Sequence, residues 1–184
     1  MYTYNVNCND SFQKGYPRSR RNVPNANKEF SQKTADERKE LYNRIMASPV
    51  MHIDCTNARS NGKNAYVFVT ATPDGEVMYF ARAKKGHEGV KGTPAEDYTG
   101  IIVQDHEKTF YKYGSDHQEC MAHVERYLKD SIANEQDKTW STKMLALIKE
   151  MLHYRNGLDS SEECSPEKVS EFEKRYVEIL DIAK

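Results

Sequence analysis

Hydrophobic and polar positions divide the chain into an aperiodic start, a strand-rich middle and a helical end. Residues 1–33 are rich in Asn, Tyr, Ser, Arg and Pro without a sustained period, which predicts an irregular arm. Thr34-Ala35-Asp36-Glu37 has the form of a capping box, and Leu41, Ile45 and Met46 follow at helical spacing, so a helix is expected over about 34–47, stopped by Pro49. Alternation in Val50-Met51-His52-Ile53-Asp54-Cys55 predicts a short strand. Residues 65–71 (AYVFVTA) form a continuous apolar run of the kind buried on both faces. Pro73-Asp74-Gly75 is a turn, which folds residues 76–83 back as the second arm of a hairpin. A Gly-rich basic segment, 84–92, and a short helical stretch then lead to Gly100 and the strand Ile101-Ile102-Val103, ending at Gln104-Asp105. From about residue 118 the period becomes helical. Met121, Val124, Tyr127, Leu128 and Ile132 form one stripe, and Met144, Leu147, Ile148, Met151 and Leu152 form a second on a helix from about Trp140 to Tyr154. Val169, Phe172, Tyr176, Ile179 and Leu180 form a third, on a helix opened by Ser165-Pro166-Glu167.

Strands first and helices after predict an α/β fold of α+β character: a sheet domain followed by a helical appendage. The expected boundaries are an arm over 1–33, a core with its leading helix over 34–135 and the appendage over 136–184. Composition narrows the class. Charged residues make up 30% and hydrophobic ones 38%, mean hydropathy is −0.88, and no apolar run approaches the roughly 20 residues of a membrane span. The N-terminus has neither the basic start nor the apolar core of a signal peptide, so a cytoplasmic protein without membrane contact is expected. Cys8, Cys55, Cys120 and Cys164 are scattered without a CxxC pair, as free thiols would be. The net charge of −1 hides a basic head and an acidic tail.

Three constellations could carry chemistry. Asp54 and Asp105 each close an apolar strand, where a carboxylate is costly unless exposed, paired or bound to a metal. Two such ends brought together would suit Mg²⁺, although Asp also ends strands simply because it starts turns. In His117-Gln118-Glu119-Cys120-Met121-Ala122-His123, Cys120 and His123 share a helix face. A closed zinc site wants four ligands and none completes the set, so structural packing and no zinc are expected. Arg82 with Lys84, Lys85 and Lys91 makes a flexible basic loop that would touch a nucleic-acid backbone or be an ordinary solvated loop. It matches neither GxxxxGK[ST] nor GxGxxG. Trp140 lies in an apolar stripe and reads as core.

The succession HIDCTNARSNGKNAYVFV, DGEVMYFARAKKGHEGVKGTPAEDYTGIIVQDHEKTFYKYG and HQECMAHVERYLKD closely resembles the catalytic region of the insertion sequence sixty-six family of transposases, from about Ser48 onward and most strongly over 50–130. The resemblance implies an RNase H-like mixed sheet bearing an Asp-Asp-Glu triad. Asp54 matches the first catalytic aspartate. Asp105 matches the second, within a strand-Asp element with Phe110 and Tyr111 as its aromatics. Cys120 to His123 matches a Cys-x-Ala-His signature, and Arg126 the basic residue after it. Cys55 stands where the family often has Glu, while Thr56 is kept. The third acid of the family lies in an Asn-Asn-x-x-Glu-Arg segment that these 184 residues do not contain, and residues 1–47 show no upstream zinc-binding or helix-turn-helix features.

The resemblance thus implies a truncated transposase core that would cleave and join DNA strands with Mg²⁺ or Mn²⁺ on Asp54 and Asp105. Weak metal binding and no strand transfer are expected of this chain. Its partners would be DNA, at transposon ends, and a second copy of itself. A non-catalytic nucleic-acid-binding or assembly module is the alternative, as is a stand-alone metal-dependent nuclease recruiting Glu107 or Glu119. The order strand, hairpin, crossover, strand, with the right-handed crossover rule, predicts the sheet order 3-2-1-4 and convergence of Asp54 and Asp105.

Overall fold

The computed structural model describes residues 22–135, 139–159 and 161–183. By its internal contacts the chain divides into two compact units, Met1–Ala47 and Ser48–Lys184.

In the first unit, α1 spans Asn22–Lys33 and α2 spans Ala35–Ala47. Residues 22–33 are therefore helical, where the aperiodic composition predicted an irregular arm; residues 1–21 lie outside the described residues. Thr34 does not cap α2 in capping-box fashion. Its hydroxyl donates to the Phe30 carbonyl at 2.9 Å, a bond that continues the preceding helix. Arg38 then donates to the Thr34 hydroxyl at 2.8 Å and to the Ser31 carbonyl at 2.7 Å, satisfying a carbonyl that the end of α1 leaves open.

The second unit holds a five-stranded mixed sheet of order β3-β2-β1-β4-β5, with β1 at Val50–Ser60, β2 at Lys63–Ala71, β3 at Val77–Arg82, β4 at Ile101–Gln104 and β5 at Asp116–Glu119. The predicted order of the first four strands is observed. β1 is far longer than the alternating segment 50–55, because Asn61 and Gly62 both adopt positive φ (51° and 75°) and close a two-residue hairpin turn of the kind Asn-Gly favours. β2 pairs antiparallel with β1 and β3. Of its apolar run only Phe68 and Thr70 are buried, with their neighbours half-exposed. The run is thus not covered on both faces: antiparallel pairing leaves one face of the sheet open.

The crossover from β3 to β4 carries α3 (His87–Val90) and a short 3₁₀ turn at Pro94–Glu96. α3 lies against the core face of β2, where a Cβ on Gly89 would come within 2.4 Å of the Phe68 ring. Phe68 in turn meets Phe110 edge to face at 6.4 Å. Met51, Ile53, Val90, Ile102 and Tyr98 of the same unit are also buried.

β5 departs from the sequence pattern. Residues 116–119 (DHQE) have no apolar alternation, and the helical period begins near 118. They pair in parallel with β4 from Ile101↔Asp116 to Gln104↔Glu119, an edge strand held by backbone bonds. α4 (Met121–Asn134) begins directly after it, followed by α5 (Thr139–Asn156) and α6 (Pro166–Ala183). Leu128, Met144, Leu147, Ile148, Phe172 and Ile179 form their common core, with Trp140 packed against it as its stripe predicted. Ser165 caps α6 by accepting the Lys168 N–H at 3.2 Å.

Candidate metal centre

The parallel register places the two aspartates. Val50, Met51 and His52 pair with Ile101, Ile102 and Val103. Continued one-to-one, that register sets Ile53 beside Gln104 and Asp54 beside Asp105. In a strand, alternate residues share a face: Met51 and Ile53 are buried, while His52 and Asp54 face the opposite, open side. Asp54 does not end its strand, as the sequence suggested. It lies two residues beyond His52, the last residue of β1 that pairs with β4. The Cys55 N–H donates to its Oδ1 at 2.7 Å.

Asp105 is the first residue after β4. His106 follows with φ 67°, a left-handed conformation in which His is more often found than most non-glycine residues. The chain thereby turns sharply away and leaves Asp105 at the carboxyl edge of the sheet, where open α/β sheets bind ligands. The same edge receives α4. The Cys120 N–H donates to the Gln104 carbonyl at 2.6 Å, and Cys120 is the N-cap of α4, so His123 sits in the first turn of that helix.

Ligand atoms of Asp54, Asp105 and His123 all lie within 4.8 Å of one another, and this is the one such group of three or more among the described residues. The helix face that His123 shares with Cys120 predicts packing; the geometry instead sets His123 with the two carboxylates, and Cys120 contributes no ligand atom to the group. Asp105 Oδ1 and His123 Nδ1 are both buried without a hydrogen-bond partner. Such atoms are costly unless something else satisfies them. A divalent ion with bonds of about 2.0–2.2 Å spans ligand pairs of roughly 3–4.4 Å, so small side-chain shifts would close this set on one ion. The residues therefore fit a metal.

The surrounding charges are already committed. Lys85 pairs with Glu107 at 2.6 Å. That bond, opposed by partial desolvation, holds the Glu107 carboxyl below its ordinary range, with Thr109 assisting. Glu119 accepts from the Tyr111 hydroxyl, and His106 Nδ1 lies 2.9 Å from the same oxygen. Desolvation alone would raise Glu119, but Tyr111 and His106 outweigh it and hold it low. Neither Glu107 nor Glu119 belongs to the ligand group. Burial pushes the Cys55 thiol up; Lys85 opposes this, while Asp54, Glu107 and Asp105 reinforce it. A neutral thiol thus stands in the carboxylate position of the related motif.

The basic loop is partly structural. Arg82 donates from Nε to the Gly89 carbonyl at 3.1 Å and from Nη2 to the Lys91 carbonyl at 3.2 Å, clamping the segment to β3. Lys84 pairs with Glu88 at 2.6 Å across an exposed turn, Lys91 is exposed, and so are Thr56 and Arg126.

A mixed sheet in which β1 and β4 run parallel and bring two acids to one edge, followed by a helical part, is an α+β architecture consistent with an RNase H-like core. The chain belongs to the Transposase IS66 family, which it matches over residues 10–182. The match begins well before Ser48, where the motif resemblance started, and so takes in most of the first unit. No curated protein and no solved structure matches the chain. Membership in a transposase family implies action on DNA with a divalent metal. No helix among the described residues is long and apolar enough to cross a membrane.

Proposed function

We propose that the second unit is a DNA phosphoryl-transfer core of the transposase type, in which Asp54 and Asp105 hold Mg²⁺ or Mn²⁺ at the carboxyl edge of β1 and β4. The observation that carries this reading is the convergence of the two carboxylates, from segments 51 residues apart in sequence, to within 4.8 Å of each other. When bound, the ion would lower the barrier to in-line attack on a phosphodiester by favouring the attacking and leaving oxygens. The chain's own residues orient it: the Cys55 N–H fixes one Asp54 oxygen, and the turn at His106 aims Asp105. Lys91 and Lys84 would steady the DNA backbone. The exposed Lys84–Glu88 pair is worth under about 1 kcal/mol, so Lys84 can exchange it for phosphate.

Sites of this kind act by positioning and by stabilising developing charge. With Glu107 and Glu119 engaged elsewhere, no third carboxylate joins the pair among the described residues. The 184-residue chain alone is therefore expected to show no strand cleavage or joining with Mg²⁺ or Mn²⁺. Plasmid nicking tests both parts of the reading. Metal-dependent nicking lost in both Asp54→Ala and Asp105→Ala would keep the assignment of the acids and overturn the expectation of inactivity. Nicking that survives both substitutions would remove the assignment itself.

A further inference from the structure

We propose that His123 is the third protein ligand of the metal centre, so that Asp54, Asp105 and His123 bind one divalent ion through two oxygens and one nitrogen. The inference rests on the assignment of Asp54 and Asp105 as metal-holding residues and adds the imidazole and its consequence for which metal is preferred.

Three observations carry it. First, the ligand atoms of the three residues already lie within 4.8 Å of one another, and they come from three separate elements: β1, the turn after β4, and the first turn of α4. Second, the position of His123 follows from a specific backbone contact. The Cys120 N–H on the Gln104 carbonyl, at 2.6 Å, pins the start of α4 one residue before Asp105, so the histidine cannot drift from the sheet edge without breaking it. Third, Asp105 Oδ1 and His123 Nδ1 are buried with no hydrogen-bond partner. Each orphaned atom costs about 1–3 kcal/mol, which an ion held between the two would offset; His117 Nδ1 is also unpartnered but lies outside the ligand group. Other acids near the edge do not compete for the role: Glu107 is held by Lys85, and Glu119 by Tyr111 and His106. Tyr127, one turn along α4, brings its ring to 6.3 Å from that of His123 and its hydroxyl to 3.5 Å from the Asp105 carbonyl, bracing the imidazole from the helix side.

The donor set decides the metal. Carboxylates alone suit Mg²⁺ and Mn²⁺, whereas imidazole favours transition ions over Mg²⁺. Two carboxylates and an imidazole leave open positions for water and a phosphate oxygen, as in reactive sites rather than closed structural ones. The chain should then bind Mn²⁺ clearly more tightly than Mg²⁺.

The test uses the full 184-residue chain with metal alone. Mn²⁺ affinity is measured by electron paramagnetic resonance titration, Mg²⁺ by competition, and bound nitrogen by electron spin-echo modulation. Wild type should show ¹⁴N coupling to Mn²⁺. His123→Asn, with an unchanged melting profile before metal is added, should lose that coupling, bind Mn²⁺ about tenfold or more weakly, and narrow the preference for Mn²⁺ over Mg²⁺. Asp54→Ala and Asp105→Ala should abolish binding. If His123→Asn keeps wild-type Mn²⁺ affinity and no nitrogen coupling is seen in wild type, while the aspartate variants lose binding, the inference fails and the two-carboxylate assignment stands. If Asp54→Ala and Asp105→Ala bind Mn²⁺ like wild type, the underlying assignment fails and takes the inference with it.

Discussion

Gly89 and Phe68 illustrate how single residues set the site. The basic segment after β3 reads in sequence as a loop whose glycines let it approach a phosphate, yet Gly89 serves packing. A Cβ there would sit 2.4 Å from two ring carbons of Phe68 and 2.6 Å from the Lys84 carbonyl, far inside normal contact. Gly89→Ala should therefore destabilise the protein by about 1–3 kcal/mol through overpacking, read as a lower urea midpoint with an unchanged slope. A neutral result would mean that α3 can lift from the sheet freely. Arg82 belongs to the same device, since its guanidinium holds the Gly89 and Lys91 carbonyls. Replacing it with Lys loses the fork geometry and should loosen the 84–92 segment, seen as faster amide exchange there.

At the scale of elements, hairpins and helices were legible because their signals are local. The alternating run from Val50, the Pro73-Asp74-Gly75 turn and three amphipathic stripes each describe a few neighbouring residues, and β1 to β4 and α4 to α6 appear where they were expected. The Asn61-Gly62 pair is an equally local signal, and its turn extends β1 beyond the alternating segment. The α5–α6 pair adds a prediction about pH. Arg175 donates to Glu150 from both terminal nitrogens, at 2.6 and 2.9 Å. This bond is the main reason Glu150 lies below its ordinary value, while Lys168 does the same for Glu171, with Arg175 second. A depressed carboxyl stabilises the fold above its unfolded pKa, and that contribution is lost as pH falls through its folded value. The melting temperature of Glu150→Gln should thus fall below that of wild type near pH 7, and the gap should close well below pH 4.5. A gap that persists in acid would mean that Glu150 acts by packing rather than by charge.

At the scale of the whole second unit, α4 joins its two parts. Its N-terminus bonds to the end of β4, and Leu128 lies in the apolar cluster of α5 and α6. Sheet and helices are therefore expected to melt together. Leu147→Ala, at a site 1% exposed, should cost about 2–5 kcal/mol. It should shift Trp140 fluorescence and amide exchange of β1 and β2 by the same amount; separate transitions would show two independent folding units. DNA binding should be indifferent to sequence and reduced by salt, because lysines on phosphates release counterions and carry no base information. A gel-shift series across ionic strength gives the slope, and a flat response would argue for base-specific contacts.

The sequence by itself determined the order of the first four strands and the helical half, and it marked Asp54 and Asp105 as candidates, since periodicity, turn residues and motif spacing act over short stretches and survive without knowledge of the fold. Tertiary structure decided the rest. Residues 116–119 are polar and become a strand only because β4 offers an open edge. Glu107 and Glu119 look as available as any acid until Lys85, Tyr111 and His106 are seen to hold them. His123 lies on the same helix face as Cys120, which suggested packing, but the bond between Cys120 and the Gln104 carbonyl carries it to the edge where β1 and β4 present Asp54 and Asp105. Each of these outcomes depends on groups distant in sequence and adjacent in space, and no local pattern encodes that adjacency.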